Sequence, residues 1–283
     1  MKELIVTGLA VIMLIIGLSL LLYPTVSNQL QSEGHQRAIY NYLESVSMLS
    51  DEDYTQIIEE AQAYNAELCQ HHLSLQLFYP EQLERYWQCL NVAGNGLMGY
   101  IDIDKVKIHL PIYHGTAEEV LQVGVGHLEG TSLPVGGETA HTLLSGHRGL
   151  PSALLFTNLD KLELGDVFTL IVLDEAYRYQ VDEIQVILPT EAGFLNFEEG
   201  KDYCTLVTCT PYGINSHRLL IRGKRMEISP EEEKLSVQAG AKNVNILIII
   251  GILEVPVLMI SVSVSASIES KRFRRRKSIG GRQ

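Results

Sequence analysis

The chain has 283 residues, a formal net charge of −12 and a hydrophobic content of 46%. Residues 266–283 hold seven basic residues and one acidic residue, so the rest is more acidic still, and nucleic acid is not an expected partner. Four cysteines are too few for a disulfide scaffold of this size.

The first predicted element is a membrane helix. Residues 4–22 are uncharged and long enough to cross about 30 Å of hydrocarbon. A cleaved signal peptide is the alternative, but the apolar run is long and the following string YPTVSNQLQ offers no clear cleavage site. We therefore predict a retained anchor over residues 1–24.

Residues 25–90 are predicted to be helical. Ser50 and Asp53 have the spacing of a helix N-cap, and a loose apolar stripe follows them. Pro80 is suited to open a second, shorter helix.

The pattern changes to alternation of apolar and polar residues from Gly99 onward, which is typical of half-buried strands. The clearest case is residues 106–112. Further candidates are residues 120–125, 141–144, 167–173, 177–188, 203–209 and 218–224. Seven or eight short strands with only short helices between them predict a mainly β protein, with a closed barrel over residues 91–226.

A second apolar stretch, residues 244–266, is interrupted by Glu254, Pro256 and several serines and is followed by the basic string KRFRRRK. Such a cluster is typical of the cytoplasmic end of a membrane helix rather than of a nucleic-acid patch. We predict a linker over residues 227–243, a second transmembrane helix and a basic tail over residues 267–283. Both termini would then be cytoplasmic, with the body outside the plasma membrane.

Three strings carry residues suited to acyl transfer: TLLSGHRGLP contains His147, TLVTC ends at Cys209 and HRLLIRG contains Arg218. A thiol with its usual pKa of about 8.5 is only slightly ionised at neutral pH, so a cysteine nucleophile needs an imidazole or a cation nearby. If the last two strings are adjacent antiparallel strands, Cys209 and Arg218 lie at the same edge of the barrel. The guanidinium could then donate to the oxyanion of a tetrahedral intermediate.

The cysteines also have simpler explanations, because an isolated strand cysteine is usually a buried apolar residue. Cys204 alternates to the face opposite Cys209 and is predicted to fill the core. For Cys69 and Cys89, a disulfide and two free thiols are both open alternatives. No spacing fits a zinc or calcium site, so we expect neither a metal nor another cofactor.

Taken together, the three strings resemble the sortase family, and within it the pilin-polymerising class C. TLVTC fits the TLxTC signature of that family, and Arg218 follows Cys209 at the family's short spacing. Residues 91–116 and 146–166 also resemble class C sequence. The resemblance covers residues 90–225 and both membrane segments, and it implies an eight-stranded sortase barrel.

The resemblance also implies a reaction. Cys209 would cleave an LPxTG-like sorting signal between threonine and glycine through a thioester, with His147 as general acid and base. Arg218 would hold the oxyanion or the sorting signal, and Thr208 is expected to bind the substrate backbone. The acceptor would be a lysine amine of another pilin subunit.

Two other functions are kept as alternatives. One is a housekeeping sortase that anchors surface proteins to peptidoglycan, and the other is a non-catalytic, membrane-anchored scaffold for pilus assembly. The second membrane segment and the class C strings favour polymerisation over anchoring.

Class C sortases typically carry an Asp-Pro-aromatic string before the barrel, and this lid covers the active cysteine. The corresponding residues 73–87 contain LFYPEQLERYW, which has no Asp-Pro pair. Tyr79 or Trp87 could cover the site instead, whereas Pro80 is explained by the start of a helix. An open site and a covered site are therefore both hypotheses.

Overall fold

The computed structural model describes residues 2–71, 80–191, 197–229, 231, 232 and 237, and within them eight strands close into a barrel. The strands are β1 Leu97–Ile103, β2 Ile108–His114, β3 Val125–His127, β4 Ala140–Ser145, β5 Val167–Val172, β6 Glu175–Ile187, β7 Asp202–Thr210 and β8 His217–Arg225. The α-helices are α1 Lys2–Ser47, α2 Asp51–His71, α3 Pro80–Gln88 and α4 Glu118–Leu121. This confirms the predicted mainly β fold and its helical N-terminal region.

Strand order around the barrel is β1-β2-β3-β4-β7-β8-β6-β5, and β5 pairs with β1 to close it. β4 and β7 are parallel, whereas β7 and β8 are antiparallel. Cys204 and Leu206 of β7 belong to the main core, while Val207 belongs to a separate small cluster with Leu143 and Leu220. Because side chains alternate along a strand, β7 divides its residues between the barrel interior and an outer face.

The strand predicted at residues 120–125 is wrong over most of its length. Residues Glu118–Leu121 form the short helix α4, and β3 begins only at Val125, where it pairs in parallel with Ile112. Glu118 and Glu119 lie in the first turn of α4, where acidic side chains interact favourably with the helix dipole. Apolar residues 120 and 121 therefore belong to a helical turn rather than to an extended run.

The N-terminal helix α1 is continuous from Lys2 to Ser47 and contains Pro24. Among the described residues it is the one helix long and apolar enough to cross a membrane, judged by length and composition. It crosses the predicted boundary between residues 24 and 25 and continues onto the barrel, where the Tyr42 hydroxyl donates to the Met98 carbonyl at 2.7 Å. The apolar part of this helix fits membrane anchoring.

Helices α2 and α3 pack on the same side of the barrel. The predicted cap of α2 is present, because the Ser50 hydroxyl accepts from the Asp53 amide at 3.1 Å. Asn65 of α2 is buried, and its side-chain amide donates to the Leu133 carbonyl at 3.0 Å. These helices therefore form part of the folded body rather than a separate unit.

Other predictions fall outside the described residues. They include the second membrane helix over residues 244–266, the basic tail over residues 267–283 and the side chain of Tyr79. Most of the linker over residues 227–243 also falls outside them. The proposed division of the chain into these segments stays a prediction.

Candidate active site

Cys209 lies next to the end of β7 and directly opposite Arg218 of β8. Residues directly opposite in an antiparallel pair point to the same face, so the side chains of Cys209 and Arg218 both extend from the outer face of the barrel. Val207 and Leu220 form the next pair on that face. The two strands are therefore antiparallel neighbours, which is the condition for Cys209 and Arg218 to lie at the same edge of the barrel.

The four cysteines differ in their access to solvent, and all four are free thiols. The disulfide alternative for Cys69 and Cys89 is therefore not adopted. Burial raises the pKa of the Cys204 thiol far above its ordinary value, and it raises the pKa of Cys89 as well. Cys209, in contrast, is half-buried near the end of β7.

The parallel pairing of β4 and β7 places His147 and Cys209 at the same end of the barrel. The last pair in this register is Ser145 with Val207. Two residues further along each strand come His147 and Cys209. The approach of the two chains continues beyond Ser145, because the Gly146 amide donates to the Val207 carbonyl at 3.1 Å.

The loop after His147 is held in a compact shape. The Phe156 amide donates to the His147 carbonyl at 3.0 Å, and a Cβ atom on Gly146 would lie 2.6 Å from the Phe156 ring. Gly149 has a φ of +79° and packs beneath the ring of Tyr212, which belongs to the turn between β7 and β8. The histidine loop therefore contacts the turn that joins the strands of Cys209 and Arg218.

Arg148 ties the same loop to β7. Its guanidinium donates to the Thr210 hydroxyl at 3.2 Å and to the Asp160 carboxylate at 2.5 Å. The side chain is only 8% exposed, so the ion pair is shielded from solvent on the arginine side. Thr210 adjoins Cys209, and Arg148 therefore fixes the position of the loop relative to the thiol.

A carboxylate stands beside the histidine. Both carboxylate oxygens of Glu118, in α4, lie 3.3 Å from Nε2 of His147. Hydrogen bonds from Gln122 and then from His147 lower the pKa of Glu118, so it is ionised at neutral pH. An ionised carboxylate at this distance can accept a hydrogen bond from the ring and limit its rotation.

Arg218 has no carboxylate partner among the ion pairs of the described residues. Its guanidinium donates to the carbonyls of Asn215 at 3.4 Å and His217 at 3.2 Å. Arg222, which shares its strand face, is instead paired with Asp182 at 2.9 Å. Arg218 therefore keeps donors available for an anionic group near Cys209.

A model of the sortase domain matches residues 101–226 of this chain. The crystal structure of sortase C1 from Streptococcus agalactiae is 47% identical, with a TM-score of 0.65, and the match covers 68% of this chain and 100% of that chain. The chain belongs to the sortase family. Sortases are cysteine transpeptidases, so the predicted enzyme class is confirmed. The likeness to the sortase C1 structure confirms the resemblance to class C.

Two further relatives support this sortase assignment. The X-ray structure of sortase C from Clostridium perfringens with the C-terminal cell wall sorting motif is 42% identical, with a TM-score of 0.59, over 68% of this chain and 99% of that chain. Sortase D of Bacillus subtilis is 29% identical over 131 residues, which are 45% of this chain and 63% of that protein. The chain thus matches less than two thirds of the length of this curated relative.

Thr208 is oriented differently from the other predicted site residues of this sortase. It is 2% exposed and alternates with Cys209, so its side chain lies on the opposite face of β7. Its hydroxyl donates to the Gly146 carbonyl at 2.8 Å. This geometry suits a residue that positions the histidine loop better than one that contacts substrate.

The described part of the predicted lid region is α3, which begins at Pro80 as expected. The ring of Trp87 stacks on His114, with 5.4 Å between the ring centroids. The neighbouring Tyr86 is buried, and its hydroxyl donates to the His127 carbonyl at 3.1 Å. These contacts attach α3 to the barrel and account for Trp87 without a role as a cover for Cys209.

The sequence interpretation missed Glu118 and Arg148. The strands β3 and β4 and their connecting loops separate Glu118 from His147, and no local pattern links the two residues. Arg148 adjoins His147 and belongs to the string that carries the resemblance. The burial of the Arg148 side chain, which indicates its role in holding the loop, is visible only in the structure.

Proposed function

We propose that this protein is a membrane-anchored sortase in which Cys209 is the nucleophile, His147 the general acid and base, and Arg218 the donor to the oxyanion. The observation that carries this proposal is the pairing of Cys209 with Arg218 across β7 and β8. The parallel register of β4 and β7, which leads His147 towards the same edge, supports it. So does the accessibility of Cys209 compared with the buried Cys204.

The reaction follows from these positions. The Cys209 thiolate adds to the threonine carbonyl carbon of an LPxTG-like signal, and Arg218 donates to the oxyanion that forms. The carbon–nitrogen bond then breaks, His147 gives its proton to the leaving glycine amine, and a thioester remains. The acceptor amine loses a proton to His147, attacks the thioester and returns the thiolate of Cys209.

We further propose that the acceptor is a lysine amine of a second pilin subunit, so that repeated turnover makes a covalent fibre. The likeness to the class C sortase structures supports this choice. A signal-bearing polypeptide as substrate agrees with the sorting motif named for the Clostridium perfringens structure. Thr208 would act on the substrate only through the histidine loop.

The proposed location is the plasma membrane, with two spans, cytoplasmic termini and an extracellular catalytic barrel. The apolar part of α1 supports the first span. The second span, over residues 244–266, and the orientation rest on the sequence pattern, above all on the basic string that follows it.

The experiment uses the full-length protein in detergent with LPxTG-type peptides and intact-mass spectrometry. We expect a covalent adduct that disappears in Cys209→Ala and persists in Cys204→Ala, because Cys204 is buried in the core. Absence of an adduct in the unmodified protein would favour the non-catalytic scaffold.

A second set of reactions identifies the acceptor. Lysine-containing pilin peptides, peptidoglycan-type amines and water are offered to the preformed thioester. Polymerisation predicts that lysine peptides resolve it fastest, whereas preference for the peptidoglycan-type amine would assign the housekeeping role instead.

A further inference from the structure

Helix α1 contacts the barrel at two positions along its length. Close to its apolar segment, the Asn28 side-chain oxygen accepts from the Leu154 amide at 2.9 Å. About four turns later, the Tyr42 hydroxyl accepts from the Leu173 amide at 2.8 Å. The separation along the helix is about 21 Å, which is close to the length of a six-residue strand. The helix therefore runs beside the barrel from one end to the other.

The two contacts lie at opposite ends of the barrel. We call the end formed by the end of β4, the end of β7 and the start of β8 the catalytic rim, because it carries Cys209 and Arg218. Leu154 belongs to the loop that leaves this rim, and the nearby Phe156 amide donates to the His147 carbonyl. Leu173 lies in the turn between β5 and β6. That turn is at the far end, since β6 runs from it to Ile187, which pairs with Arg218.

The contact at the catalytic rim is the one nearer the membrane. The apolar segment ends at Leu22, and Asn28 follows it by less than two turns, or about 9 Å of helix. A headgroup layer is about 5–8 Å thick on each side of a bilayer. Leu154 therefore lies close to the outer limit of the headgroups.

The composition of the histidine loop suits this position. Residues 149–159 contain no charged side chain, although the chain as a whole carries a formal charge of −12. Leu154 is 50% exposed and lies on the outer surface of this loop. An uncharged, partly apolar loop can approach lipid headgroups without the repulsion that acidic residues would meet at an anionic surface.

We propose that the catalytic rim faces the bilayer surface, so that a polypeptide held in the same membrane meets Cys209 within a few residues of the lipid headgroups. This inference rests on the proposed function and on anchoring by α1. His147 lies within about 10 Å of Leu154, because two residues and one hydrogen bond separate them. The site is thus at most about 20 Å above the hydrocarbon, a distance that about six extended residues can span.

The orientation is tested without reference to activity. Full-length Leu154→Trp and Asp174→Trp variants are placed in phosphatidylcholine vesicles that contain a lipid with a nitroxide on its headgroup. Asp174 is exposed in the far turn and serves as the matched control, while the native Trp87 contributes equally to both. We expect much stronger quenching of the tryptophan at position 154. Equal or reversed quenching would overturn the inference, and Pro151→Trp gives a second exposed position in the loop if the first variant folds poorly.

The consequence for substrates is tested by moving the barrel further from the membrane. Seven helical residues inserted after Tyr23 lengthen α1 by about 10 Å and restore nearly the same helical face, because they make almost two full turns. Rates are measured on a soluble sorting peptide and on membrane-anchored substrates whose motif is separated from the membrane segment by increasing spacers.

We expect the soluble peptide to react at an unchanged rate, while the best spacer becomes longer by about three residues. An unchanged spacer preference would refute the inference but keep the proposed function. Failure of the unmodified enzyme to form a thioester even with the soluble peptide would instead refute the proposed function.

Discussion

Both carboxylate oxygens of Glu118 lie 3.3 Å from Nε2 of His147, although the strands β3 and β4 and their connecting loops separate the two residues in the sequence. A carboxylate at this distance can accept a hydrogen bond from the ring and hold it in position for proton transfer to the leaving amine. Glu118→Gln keeps the shape and removes the charge. We expect kcat/KM to fall by about twofold to fivefold, as for an exposed ion pair.

The matched control for this charge is Glu119→Gln. Glu119 is the next residue of the same short helix, and among the described residues it makes no hydrogen bond or ion pair with His147, so this substitution removes the same charge without breaking the contact. The kcat/KM of this variant should equal that of the unmodified enzyme. If Glu118→Gln also leaves kcat/KM unchanged, the contact has no part in catalysis.

Arg218 is predicted to act through the geometry of its donors. Arg218→Lys keeps the positive charge but replaces a planar set of donors with a single ammonium group. Loss of one oxyanion donor typically costs roughly 100-fold or more in rate, so we expect most of the acylation rate to be lost. Arg222→Lys is the control on the same strand. Arg222 is already paired with Asp182, so this substitution should leave the acylation rate nearly unchanged. An unaltered rate in Arg218→Lys would remove Arg218 from the mechanism.

The parts of the site that lie on paired strands could be predicted from the sequence. TLVTC and HRLLIRG are short, rich in apolar and β-branched residues and joined by turn residues, so the local pattern predicts two strands. Their antiparallel pairing is a condition of the predicted site, and the structure shows that pairing. Alternation then separated Cys204 from Cys209, and the structure places Cys204 in the core.

The contacts between distant segments could not be predicted in this way. Glu118 reaches His147 only because α4 connects β2 to β3, and the sequence pattern at residues 120–125 favoured a strand there. The resemblance implies that Thr208 binds the substrate backbone, but alternation turns its side chain towards Gly146. Such contacts depend on how the loops pack, and no periodicity in the sequence records that packing.

Thr208→Val tests whether this residue positions the histidine loop. The change removes the hydroxyl that donates to the Gly146 carbonyl and leaves that acceptor buried, so stability should fall by about 1–3 kcal/mol. We expect kcat to fall with little change in KM, because the loop that carries His147 loosens while substrate contacts remain. A rise in KM at constant kcat would support direct binding of substrate instead.

The control for Thr208 is Thr205→Val. Thr205 is also buried on β7, and its hydroxyl lies 2.7 Å from Nε2 of His141, away from the histidine loop. This variant should lose stability to a similar degree but keep kcat. Equal kinetic losses in both variants would show that general loosening of β7 accounts for the effect.

Asp202 provides a pH dependence of stability that is separate from catalysis. It begins β7, at the end of the barrel opposite Cys209, and burial raises its pKa from 3.8 to about 6. The folded protein therefore favours the protonated carboxyl. Its contribution to stability is fully present below about pH 4 and is lost as the pH rises through about 6.

Asp202→Asn removes this dependence, and its side-chain oxygen can still accept from the Tyr179 hydroxyl, which lies 3.1 Å from Asp202 Oδ1. We expect the difference in Tm, variant minus unmodified protein, to increase between about pH 4 and about pH 6 and to be constant above that range. The measurement is thermal unfolding of the full-length protein in detergent at a series of pH values. A difference in Tm that does not vary with pH would contradict the assignment, and thioester formation should be the same in both proteins because Asp202 lies at the far end of the strand.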